Sequence, residues 1–352
     1  MNTLTVALAS LGGVVLAGVI AHGAWQARRA GPKRASEGRE EPSATAPRSG
    51  EDLGLDGDRE DGDPAPGDIA PARRLSKRVP LQLDALIDAF ATFTIDAPVS
   101  GEAIAPHLAA KRFVGSKLVL VEGRNVDTGR WEAPAAAQRY AELQAGVQLA
   151  SRTGALNEIE YSEFVQRIQA LAEAIGAAVD FPDMLEVMAR ARELDAFASQ
   201  HDAQLAVHLH ARGAAWSVGY IQQHARRHGF VPGVVPGRLV YPSSEEGAPP
   251  VLTLTFDSQA ALADEPDRAA VRDVTLAFDV PQSDPSVEPF KAWQAAAQAL
   301  AVGMDAEVVD DNERPLSSEG FATLGAELGQ LYAMLEARDL AAGSAAARRL
   351  FS

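Results

Sequence analysis

The sequence predicts an α+β fold. It places two tandem, related units, each an antiparallel-rich sheet with helices on one face, behind one N-terminal transmembrane helix and a disordered linker. Three observations carry this. In VTLAFDV, Val274, Leu276, Phe278 and Val280 alternate with Thr275, Ala277 and Asp279, the period of a strand with one buried face. After it, Phe290, Trp293, Ala297, Leu300 and Met304 recur every three or four residues, as on a helix with one apolar stripe. The same order of elements occurs twice, over residues 88–200 and 202–340.

Taken in order, the chain starts with an anchor, residues 1–26. Leu4 to Trp25 carries no charged side chain. As a helix it spans about 33 Å, against about 30 Å of hydrocarbon. Arg28, Arg29, Lys33 and Arg34 follow at once, so the positive-inside rule puts the N-terminus outside and the rest in the cytoplasm. A cleaved signal peptide would carry its basic residues before the apolar run, not after it. Residues 27–83 are rich in Pro, Gly, Ala, Ser and charge, and are expected to be a disordered linker. Its basic block, Arg28 to Arg39, suits anionic lipid headgroups.

The first unit, 84–200, opens with the strand DAFATFTID, and the second, 201–340, with DAQLAVHLH. A helix-length stretch follows each, then SKLVLVEG against GRLVYPSS, and AGVQLAS against DVTLAFD. The next helices carry Phe164, Ile168, Leu171 and Ile175 against Phe290, Ala297 and Leu300. A short strand (AAVDF, AEVVDD) and a closing helix complete each unit. Met184, Val187, Met188, Ala191 and Leu194 mark one closing helix; Phe321, Leu324, Leu328, Leu331 and Leu335 mark the other, with Ser317 or Ser318 as its N-cap. The second unit has an extra strand, VLTLTF, without a clear counterpart. Residues 341–352, AAGSAAARRLFS, are expected to be a disordered tail.

Composition excludes some functions. The chain has 352 residues, a formal net charge of −16 and no cysteine. That removes thiolate chemistry and disulfides, and an acidic chain with no basic-aromatic patch is a poor nucleic-acid binder. His208-x-His210 and His224-x-x-x-His228 have spacings that suit zinc, but the pairs fall on opposite sides of the sheet. Asp310, Asp311 and Asn312 close a strand. No phosphate-cradling loop or nucleophile elbow is present, so no enzyme activity, catalytic residue, metal or cofactor is expected.

Two stretches resemble the ZipA family of cell-division proteins. One is His22-Gly23-Ala24-Trp25 followed by Arg28-Arg29 at the end of the apolar run. The other is the ordered set IQQHARRHGF (221–230), VTLAFDVP (274–281), Phe290, Ala297, Ala299 and AEVVDDNERPLS with Asp310, Asp311 and Arg314. The resemblance implies a cell-division, septation protein of the divisome: a bitopic inner-membrane adaptor whose open sheet face binds the C-terminal peptide of FtsZ. The outward positions to which it assigns that role are Ala206, His208, Arg238, Val240, Thr253, Thr255, Thr275, Ala277 and Asp279. Arg238 suits a tail carboxylate. The family face carries large apolar side chains, whereas these are small or polar. Each such exchange forfeits on the order of 1 kcal/mol of burial, so weak binding is expected. The chain also departs from the family in its short linker and its additional unit. Two further readings stay open: a membrane-anchored scaffold whose duplicated units pair or self-associate, and an envelope protein facing the periplasm.

Overall fold

The computed structural model of the protein describes residues 82–109, 112–263, 265 and 269–352. The expected anchor and nearly all of the expected linker lie outside the described residues. Among those described, no helix is long and apolar enough to cross a membrane.

The first unit runs β1 (Asp88–Thr94), β2 (Val99–Ser100), α1 (Gly101–Ala109), β3 (Phe113–Val114), β4 (Lys117–Asn125), β5 (Trp131–Glu132) and β6 (Arg139–Gln148). The hairpin β7 (Ala150–Ser151) and β8 (Gly154–Ala155) follows, then α2 (Glu158–Ile175), β9 (Ala178–Asp180) and α3 (Met184–His201). The second runs β10 (Gln204–Ala211), α4 (Val218–Arg227), β11 (Val231–Pro232), β12 (Arg238–Tyr241), β13 (Leu252–Thr255), α5 (Ser258–Leu262) and β14 (Asp273–Asp279). After a single 3-10 turn at Pro285–Val287 come α6 (Pro289–Met304), β15 (Ala306–Val309), α7 (Ser318–Glu336) and α8 (Ala345–Leu350).

The repeat is visible in the sheets. The first has the order β3-β4-β6-β1-β9 and the second β11-β12-β13-β14-β10-β15. Removing β13 makes the two orders superpose strand for strand, and the pairings along both are antiparallel. Strand β13, the VLTLTF segment, is thus an insertion between the counterparts of β4 and β6.

Helices cover one face of each sheet, because each strand turns only alternate residues inward. Val274, Leu276 and Phe278 on β14 are buried, as are Trp293, Ala297, Leu300 and Met304 on α6. Trp293 is fully buried and its indole N–H donates to the Leu276 carbonyl at 2.9 Å, so the largest side chain of this core leaves no polar atom unpaired. Helix starts follow local chemistry. The Asn157 side chain accepts from the amides of Ile159 and Glu160, while Glu160 accepts from the Asn157 amide, a reciprocal cap at the start of α2. Ser317 caps α7.

Two expectations need correction. Residues 341–352 are not a disordered tail: they include α8, capped by Ser344, and Ala346, Ala347, Leu350 and Phe351 are buried. The segment is too short and small-sided to build a core, but Leu350 and Phe351 enter one that already exists. The linker also ends earlier than 83, since Gln82 and Leu83 are already bonded to the first unit through Arg349 and Glu122.

The units dock on each other. Arg152 bridges Asp202 and Asp279, each at 2.6 Å. Arg338, past α7, lies 5.0 Å over the Phe197 ring of α3. Helix α8 reaches both units: Arg349 forks onto Asp88 of β1 at 2.6 and 2.8 Å, and Gln282 donates to the Phe351 carbonyl at 2.7 Å.

Candidate functional site

The outer face of the second sheet, away from α6, is built by strand alternation. Leu205, Val207 and Leu209 of β10 point into the core, which leaves Ala206, His208 and His210 on the other side. The same parity turns Thr253 and Thr255 of β13 and Thr275, Ala277 and Asp279 of β14 outward. Pairing register then decides which of them meet. Ala206, Ala277, Thr253, Val240 and Val231 form one row across five strands. His208, Thr275, Thr255 and Arg238 form the next. The structure therefore gathers eight of the nine expected residues into two adjacent rows on one surface.

The rows differ in character. The first is aliphatic and small, and Val231 at its edge is 45% exposed. Beyond it the 231–235 loop exposes Val234 and Val235, and Tyr241 is partly exposed on β12. The second row is polar. Nδ1 of His208 lies 3.1 Å from Thr275 Oγ1 and Nε2 lies 3.0 Å from Asp311 Oδ1. The hydrogen bond to Asp311 raises the imidazole above its ordinary pKa; partial burial opposes this, and the charges of Asp311, Asp273 and Asp310 add to it. Arg238 is exposed, and its guanidinium donates to Thr253 Oγ1 at 3.4 Å. It is a cation on this face placed to meet an incoming carboxylate.

Asp279, the ninth residue, opposes Gln204 at the end of the sheet and is bound to Arg152 of the first unit. Burial pushes its carboxyl upward and the guanidinium draws it back. It is part of the junction between the units. The sequence offered no signal for this, because Arg152 lies in the β7–β8 turn far along the chain. Val231, which completes the first row, stands beside a Pro-Gly turn, where two residues carry too little alternation to mark a strand.

The strand-end acidic residues build a turn: Asp310 Oδ1 accepts from the amides of Asn312 and Arg314 at 2.9 Å. Among the described residues no group of His, Cys, Asp and Glu is placed to hold a metal ion. One buried cluster, Lys117 with Ser116, Ser151 and Thr153, has the residue types of a hydrolytic centre. The ammonium donates to all three hydroxyls at 3.0–3.1 Å, so its three donors are spent on tying β4 to the β7–β8 hairpin.

Residues 255–327 match the family model described as ZipA, C-terminal FtsZ-binding domain. The second unit is of the ZipA type. The match spans β14, α6, β15 and the first half of α7, and so includes Thr255, Thr275, Ala277 and Asp279. Ala206, His208, Arg238, Val240 and Thr253 join the ZipA-type strands through register and lie outside the matched stretch. No curated protein matches the chain.

Proposed function

We propose that the protein is a cell-division adaptor whose second unit takes the C-terminal tail peptide of FtsZ across the two rows of its outer sheet face, and which tethers the FtsZ ring at the inner membrane. The observation that carries this is the match of residues 255–327 to an FtsZ-binding domain, which includes the strand β14 of the open face. Arg238 pairs with a carboxylate of the tail, and Val231, Val240, Ala277 and Ala206 meet its apolar side chains. The uncharged run Leu4 to Trp25 supplies the anchor, with the N-terminus periplasmic and both units cytoplasmic. Because the face has few large side chains, affinity is modest, on the order of 10–100 μM.

The test is titration of a fluorescent FtsZ tail peptide with the full chain in detergent micelles. Saturable binding that falls at least about tenfold in Thr255→Glu and Arg238→Glu supports the proposal. Binding unchanged by both substitutions moves the site elsewhere, and no binding in the high-micromolar range leaves the scaffold reading. The docking of the two units through Arg152 and α8 favours one part of that alternative, the pairing of the units with each other inside one chain.

A further inference from the structure

The two sheets have the same strand order, yet their outer faces are in different states. On the first, Phe90, Gly146 and Leu120 form a row across β1, β6 and β4. The row is not bare. Leu83 comes down over Gly146 so closely that a Cβ at that position would collide with Leu83 Cδ2. The Leu83 amide donates to Glu122 Oε1 at 2.8 Å, and Glu122 is itself steadied by Gln144 Nε2 at 2.9 Å. The Gln82 carbonyl accepts from Arg349 Nη1 at 2.9 Å. Arg349 is fixed in turn by its fork on Asp88 and by Gln148, which donates to the Arg349 carbonyl at 2.9 Å. The backbone of Gln82–Leu83 is thus held by Glu122 of the sheet and Arg349 of the C-terminal helix, with an apolar side chain over a glycine seat. A side chain seated over a glycine and a backbone N–H bonded to a carboxylate are contacts that a free peptide can make as well as a tethered one.

We propose that the outer face of the first sheet is a peptide-accepting face occupied in cis by Gln82–Asp84 and latched by the C-terminal helix through Arg349. Glycine at 146 is then a requirement of the occupant, since a Cβ there would meet Leu83 Cδ2. The ligand class is an extended peptide with a leucine-like side chain for the Gly146 seat and a backbone N–H for Glu122. One chain accordingly offers one free face, in the second unit, and holds the other closed at the point where residues 1–81 join the first unit.

The experiment uses the full chain in detergent micelles and a fluorescent peptide of residues 78–84 as the probe. In the wild type the tethered segment competes at an effective concentration of about a millimolar, so micromolar probe does not bind. Leu83→Ser empties the seat and is expected to bind the probe at least about tenfold more tightly than the wild type. Adding Gly146→Val to Leu83→Ser refills the seat and is expected to abolish the gain. Equal binding by wild type and Leu83→Ser, or a gain that survives Gly146→Val, overturns the proposal. Should Leu83→Ser lose its native circular dichroism, Arg349→Lys keeps the charge and removes the fork. It is expected to bind the probe several-fold more tightly than wild type, and no gain there overturns the proposal as well. The readout contains no FtsZ, so it fails or succeeds separately from the tail-binding proposal.

Discussion

The first and second units carry the same sheet with opposite surroundings. In the second, the outer rows are small and polar, with half-buried threonines and with Asp311 bonded to His208. In the first, an outer row carries Phe90 and Leu120 beside Gly146, and Leu83 lies on it, with Gln82 tied to Arg349 of the C-terminal helix. The lesson is one of burial. A duplicated fold keeps its inward pattern, because each inward side chain is needed for a core. The outward pattern is free to diverge, and where it becomes apolar it is covered.

The largest effect expected from this comparison is on the latch. Asp88 and Arg349 are 1% and 6% exposed, and removing one leaves a buried charge unpaired. Arg349→Met is expected to cost about 3–5 kcal/mol in chemical denaturation, and Asp88→Asn combined with Arg349→Met is expected to recover part of it. No comparable loss is expected from Arg238→Met on the exposed second face. Gly146→Leu comes next: it forces Leu83 off its seat and is expected to lower stability by about 1–3 kcal/mol, whereas Ala277→Gly changes far less. A third expectation concerns FtsZ tail binding, measured by fluorescence anisotropy. Thr255→Glu weakens it about tenfold, or 1.4 kcal/mol, while Thr92→Glu on the first sheet leaves it unchanged; equal effects would erase the distinction between the faces.

The smallest effect is the pH dependence of the second face. Because the pKa of His208 is raised in the folded state, its protonated pair with Asp311 contributes stability that is fully present below the unfolded pKa of about 6.5 and is lost as pH rises through the higher folded value. His208→Gln should therefore cost up to about 1 kcal/mol near pH 5.5 and close to nothing at pH 8, read from denaturation midpoints. A cost independent of pH would show that the packing of the ring matters and its charge does not.

Much of this was legible in the residues. The alternation in VTLAFDV placed Thr275, Ala277 and Asp279 on one face, and the stripe from Trp293 to Met304 placed α6 on the other. The repeat was legible as an order of elements, and the match at 255–327 falls within the stretch whose motifs carried the family resemblance. The junction was not legible. Arg152 sits in a tight turn with no periodic pattern, and nothing local distinguishes it from a solvated arginine.

By itself, then, the sequence determined the inward faces, the helix caps and the duplicated order of strands, since all three rest on residues within a few positions of each other. Tertiary structure alone decided the register that aligns Ala206 with Val240, the docking of Asp279 on Arg152, and the paths of Gln82–Leu83 and of the C-terminal helix. The C-terminal segment shows the reason. AAGSAAARRLFS has too little apolar surface to order itself, and its helix exists because Leu350 and Phe351 find a core, and Arg349 an aspartate, that the rest of the chain had already built.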